Sequence, residues 1–120
     1  MDSLDELRHG LLAGSLSLDA IERLAAGKTL EDFGAGPDLA AAMERYLERL
    51  SEASRHIPQE LKQKHPEIDW RGVADIGNVL RHAYDQVSDR RVWEAATDDL
   101  PPLKVAIEAM ISEVEREDDG

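Results

Sequence analysis

This sequence predicts an all-α four-helix bundle with one additional short helix. Apolar residues recur at steps of three and four along almost the whole chain. No stretch alternates apolar and polar residues as a half-buried strand would. Glycine, proline and capping residues divide the pattern into four principal segments joined by shortish connections. The 120 residues suffice for one domain with one modest core, read as a single unit over 1–120.

The first helix carries Leu4, Leu7, Leu11, Leu18, Ile21 and Ala25, with Gly14 loosening the stripe and Gly27 stopping it. In "KTLEDFGAGPD", Gly34, Gly36 and Pro37 break the chain and Asp38 is placed to cap the second helix. That helix presents Leu39, Met43, Tyr46, Leu50, Ala53 and Ile57 as a narrow seam. Pro58 is read as a bend, since "QELKQK" keeps a helical pattern. After "HPEIDW", Asp69 caps a third helix from about Trp70 to about Tyr84. "DQVSD" reads as a loop and "RRVWEAA" as a short helix. Asp98 or Asp99 then caps the last helix, with Pro101 and Pro102 in its first turn. Leu103, Ile107, Met110 or Ile111, and Val114 form its apolar stripe, and residues 115–120 read as a frayed polar tail.

Composition narrows the function. The net charge is −12, from 14 Lys plus Arg against 26 Asp plus Glu, which argues against nonspecific phosphate binding by the whole surface. Residues 55–91 hold seven basic and six acidic residues, a local +1 that leaves −13 on the rest. Five aromatic residues (one Phe, two Tyr, two Trp) give little material for stacking on bases, and Trp70 and Trp93 read as packing residues. The absence of Cys excludes disulfide and thiolate chemistry and makes a reducing cytosol the default. No apolar run approaches the roughly 18 residues of a membrane span, and no signal peptide opens the chain. A soluble, cytoplasmic protein without membrane association is expected. His9, His56 and His65 have no evident carboxylate or histidine partner at metal-ligand spacing, so no metal is assigned.

The third helix carries the chemistry. At about 100° per residue, Val73, Leu80, Ile76 and Ala83 fall on one core-facing arc. Arg71, Asp75, Asn78 and His82 form a polar stripe nearly opposite, so His82 is expected to face solvent or another chain. Gly77, Arg81 and Tyr84 line a third stripe beside the core. Helical side chains lean toward the N-terminus, so Arg81 can fold back over Gly77. A histidine titrating near neutrality moves protons. A guanidinium holds a phosphate and stabilises charge on it. Together they suffice for metal-independent RNA cleavage, although adjacent Arg and His on a helix are common and specify little by themselves.

The segments "HPEIDWRGVADIGNVLRHAY" and "VWEAATDDLPPLKVAIEAM" resemble the HepT-like family of HEPN helical domains. The resemblance runs from about Leu39 to Met110. It implies an all-α bundle pairing as a homodimer and a metal-independent RNase acting as a toxin. It also implies a partner, a minimal nucleotidyltransferase antitoxin that uses ATP and Mg²⁺ to add AMP to a signature tyrosine and so block RNA entry. No cofactor is implied for the chain itself.

That family's signature is an Arg, four residues, a His, one residue and a Tyr. By position, the His is His82, the Tyr is Tyr84, and Asn78 matches a polar position beside the Arg. The Arg position is Gly77 here. Arg81 is the nearest replacement, Arg71 the second, and the partner subunit of a dimer a third source. A non-catalytic partner or substrate-binding subunit of a nucleotidyltransferase is the alternative, which loss of the Arg and an acidic surface would suit.

Overall fold

A computed structural model of the chain describes residues 3–82 and 89–119, the side chains of Ser3, Val79, Arg81, His82, Asp118 and Asp119 excepted. It is all-α, with no strand among the described residues. Helices α1 (Ser3–Ala25), α3 (Pro37–Arg55), α5 (Trp70–His82) and α7 (Leu100–Asp119) are the four long elements. Three short helices join them: α2 (Leu30–Ala35), α4 (Gln59–Lys62) and α6 (Asp89–Glu94). Helix α3 is central, packing on α1 along one side and α5 along the other, while α7 lies against α1.

One core fills the bundle. Leu11, Leu18 and Ile21 of α1 meet Met43, Leu47 and Leu50 of α3, and Leu103, Ile107, Met110 and Val114 of α7. Their i, i+3, i+4 and i+7 spacing places them on single helix faces, and burying those faces is the main driving force for folding. Of the two alternatives on α7, Met110 is fully buried and Ile111 lies at the edge.

Several junctions depart from the sequence reading. "LEDFGA" forms helix α2, because Thr29 and Asp32 close a capping box: the Asp32 amide donates to Thr29 Oγ1 (3.1 Å) and the Thr29 amide to Asp32 Oδ2 (2.9 Å). Its Phe33 is buried and tilts against Trp93 at 5.6 Å. Asp38 makes no cap, since α3 starts at Pro37 behind Gly36. The α3 seam is centred on Met43, Leu47, Leu50, Ser51 and Ser54, leaving Tyr46 and Ala53 at its margin. Pro58 is more than a bend: α3 ends at Arg55, and Pro58 is the N-cap of a separate α4.

Neither Asp98 nor Asp99 starts a fresh helix. Helix α6 passes through a π-helical turn, Ala95–Asp99, directly into α7, with the Leu100 amide bonded to the Ala95 carbonyl. Pro101 and Pro102 lack the N–H groups that would complete the α-helical ladder there, so a widened turn is a ready solution. Helix α7 continues through residue 115 to Asp119. Gly27 does stop the first helical region, with φ of 71°. Most of the "DQVSD" loop lies outside the described residues.

Candidate active site

The site is built on α5, and the chain before it fixes where α5 begins. The Gly72 amide donates to Asp69 Oδ1 at 3.0 Å, the N-cap read from the sequence. Trp70 Nε1 donates to the carbonyls of Lys62 (3.2 Å) and His65 (3.1 Å), tying the end of α4 to the start of α5. Lys62 Nζ lies 5.9 Å from the centroid of the same ring, and Ile68 of the connection is buried. "HPEIDW" is therefore a locking connection, and its tryptophan is structural.

Helix α3 holds the middle of α5 by polar contacts. Ser51, 1% exposed, donates its hydroxyl to the Ala74 carbonyl at 2.7 Å and accepts the Gly77 amide at 3.2 Å. Arg55 donates to the same carbonyl through Nε (3.2 Å) and Nη2 (2.8 Å). Ser54 returns its hydroxyl to the Ser51 carbonyl at 2.7 Å. The register is antiparallel, since Leu47 and Leu80 wall one cavity beyond these contacts.

Gly77 is consequently buried, and a hydroxyl of α3 meets its backbone. The wheel put Gly77 beside the core and Ile76 within it. The polar contacts turn the Ala74–Gly77 side inward, leaving Ile76 only half-buried.

The opposite stripe is polar and open. Arg71, Asp75 and Asn78 are all exposed. Position 82 lies four residues beyond Asn78 and so continues the same stripe of the backbone. Arg71 stands about 16 Å from it along the axis. Arg81 and His82 are the last two residues of α5, their side chains being outside the description, and Tyr84 lies in the undescribed 83–88. The structure thus places Asn78 and the backbone of Arg81 and His82; the expected meeting of the Arg81 and His82 side chains, and Tyr84, lie outside the described residues.

On the stretch of α3 level with the end of α5, Glu44 and Glu48 are acidic and Arg45 lies 4.0 Å from Glu48. Burial raises the Glu44 carboxyl above its ordinary range, and the nearby Glu48 and Asp89 carboxylates raise it further. The basic surplus over 55–91 is partly tied up: Arg55 in the Ala74 contact, Lys64 in an ion pair with Glu113, and Arg91 3.5 Å from Asp99. His56, given no partner by sequence, sits 3.1 Å from Glu52, and His65 Nδ1 sits 3.3 Å from Glu67. No group of three or more His, Cys, Asp or Glu residues able to hold a metal occurs among the described residues. No described helix is long and apolar enough to cross a membrane.

Sequence reasoning missed Ser51 and Arg55. The signal was two serines, Ser51 and Ser54, set into an otherwise apolar seam facing the next helix.

The fold and this helix define a helical-bundle domain with a polar stripe leading to a histidine. Residues 15–110 match the family model described as ribonuclease HepT-like. The chain belongs to the HepT-like ribonuclease family. It is 36% identical over 94 residues to "Probable ribonuclease HepT" of Thermococcus cleftensis, covering 78% of this chain and 86% of that one. It is 33% identical over 91 residues to "Putative RNase TTE0752" of Caldanaerobacter subterraneus subsp. tengcongensis, covering 76% and 80% respectively. No solved structure matches.

Proposed function

We propose that this chain is a metal-independent endoribonuclease of a toxin–antitoxin pair. Support comes from membership of a ribonuclease family together with an outward polar stripe on α5 that leads to position 82. The latter observation carries the assignment of the reacting end. His82 takes the proton of a ribose 2′-hydroxyl, whose oxygen bonds to the adjacent phosphorus. The 5′-oxygen leaves and takes up a proton, giving a 2′,3′-cyclic phosphate and a 5′-hydroxyl. Arg81 binds the scissile phosphate in place of the signature Arg, and Asn78 orients it. A homodimer with the cleft between subunits completes the site. The antitoxin is a minimal nucleotidyltransferase that adenylylates Tyr84, and the added anion blocks RNA entry.

The test is product chemistry. RNA cleaved in the presence of a chelator should end in cyclic phosphate and 5′-hydroxyl, and intact RNA contradicts the reading. Arg81→Ala should abolish cleavage; unchanged cleavage excludes Arg81 as the phosphate binder. After co-expression with the nucleotidyltransferase, mass spectrometry should find one added AMP on Tyr84, and an unmodified Tyr84 contradicts the regulatory scheme.

One observation favours a second reading. The signature Arg position is Gly77, buried and bonded to Ser51. A non-catalytic subunit that docks a nucleotidyltransferase has no need of that Arg. Harmless expression of the chain alone, with a stable complex formed on adding the nucleotidyltransferase, would select it.

A further inference from the structure

Along the side of α3 turned away from α5, a groove of about 540 Å³ runs between α1 and α3. Ala13, Ala20 and Ala53 line it with small apolar surface, and Leu16 stands beside it, 68% exposed. Its polar groups are Ser17, Arg23, Tyr46, Arg49 and Glu52.

Ser17, Arg23 and Arg49 among them form no hydrogen bond or ion pair with any described residue. Arg23 is exposed and forms no ion pair or hydrogen bond with any described residue. The acids beside it are held elsewhere: Lys104 Nζ bonds Asp19 (3.3 Å) and Glu22 (2.8 Å). Glu52, the one acid in the groove wall, is engaged by His56 at 3.1 Å and Arg55 at 3.9 Å. Arg49 lies over the Tyr46 ring, its guanidinium carbon 5.6 Å from the centroid, which orients the planar cation without neutralising it. Ser17 is 6% exposed, and its hydroxyl has no hydrogen-bond partner among the described residues. Ser17 is a buried residue whose unpartnered hydroxyl still reaches the groove surface, and with two uncommitted guanidiniums beside it the groove fits an anionic ligand.

We propose that the α1–α3 groove binds a nucleotide unit of single-stranded RNA. Choosing RNA over another anion rests on the proposed ribonuclease function. Arg23 and Arg49 contact phosphates, the face of Arg49 away from Tyr46 stacks a base, Ser17 hydrogen-bonds a phosphate or ribose oxygen, and the alanine surface takes the sugar edge. The groove and the polar stripe of α5 lie on opposite flanks of α3, so a strand held here is anchored away from position 82. A second copy is a poorer occupant. Two-fold docking would bring together two grooves that each carry two guanidiniums and a single carboxylate already engaged by His56 and Arg55.

The experiment uses the full chain and an uncleavable 2′-O-methyl RNA octamer, with AMP as a separate arm. On titration, amide resonances of Ser17, Ala20, Tyr46 and Ala53 should shift with the octamer. The double substitution Arg23→Gln/Arg49→Gln should weaken binding about tenfold or more and make its salt dependence shallower by roughly two phosphate contacts. Undiminished binding by the double variant overturns the proposal, as do octamer shifts confined to other residues. Groove shifts that track protein concentration without RNA overturn it by assigning the groove to a second copy. Shifts with AMP but none with the octamer overturn the RNA strand as occupant. A chain that cuts unmodified RNA yet leaves this groove unperturbed keeps the nuclease and loses the groove. A chain that binds here yet never cuts RNA does the reverse.

Discussion

Helix α3 has two polar flanks that behave oppositely. Toward α5, every polar group described at the crossing is consumed: Ser51 bridges Ala74 and Gly77, Arg55 covers the same carbonyl, and Ser54 folds back on Ser51. Toward α1, Ser17 and Arg23 have no partner among the described residues, and Arg49 rests only on a ring. A polar group buried in a helix crossing has to be satisfied there, whereas one that reaches a groove surface without a partner is available for a ligand. The α5 flank positions the helix that bears His82, whereas the α1 flank has donors to spare.

Substitutions on the two flanks should therefore differ in size and in sign. The largest effect belongs to the core beneath both. Leu47→Ala, at a fully buried site bordering the α3–α5 cavity, should cost about 3 kcal/mol in chemical denaturation. Ser51→Ala should cost about 1–2 kcal/mol by leaving the Gly77 amide without its side-chain acceptor, and should speed hydrogen exchange near Gly77. A cost near zero would mean that the α5 flank is no tighter than the other.

On the α1 flank the sign reverses. A methyl at Gly14 would meet the Ala53 Cβ at 3.7 Å, an ordinary contact, so Gly14→Ala should stabilise by up to about 1 kcal/mol through helix propensity. Destabilisation would show that α1 and α3 are as closely fitted as α3 and α5.

The smallest effect is a pH dependence. The folded-state pKa of Glu44 is raised, so the stability it contributes is complete below its unfolded value and is lost as pH rises through the folded one. Glu44→Gln should thus stabilise at neutral pH, and the gain should vanish below about pH 4, where the unfolded carboxyl also protonates. An advantage that grows on acidification would contradict the shift.

The four long helices were legible because their apolar spacing is long and regular, and Asp69 was legible as a cap because a periodic helix comes directly after it. Helix α2 escaped because six residues containing Gly34 carry little periodic signal, and its stability comes from the Thr29–Asp32 box and Phe33. The π-helical passage into α7 escaped because two prolines read as a break also permit a widened turn. For the site, the wheel placed Arg71, Asp75 and Asn78 outward, as found. It gave no sign that Ser51 would draw Gly77 inward, since a contact between residues 26 positions apart leaves no trace in local spacing.

The central claim is that the reacting group of this ribonuclease-family chain stands at the end of α5. The direct measurement is the cleavage rate of a labelled RNA by wild type and by His82→Ala, both shown to be folded. Loss of one general acid–base group predicts a fall of at least about a hundredfold. Equal rates in the two proteins would contradict the assignment.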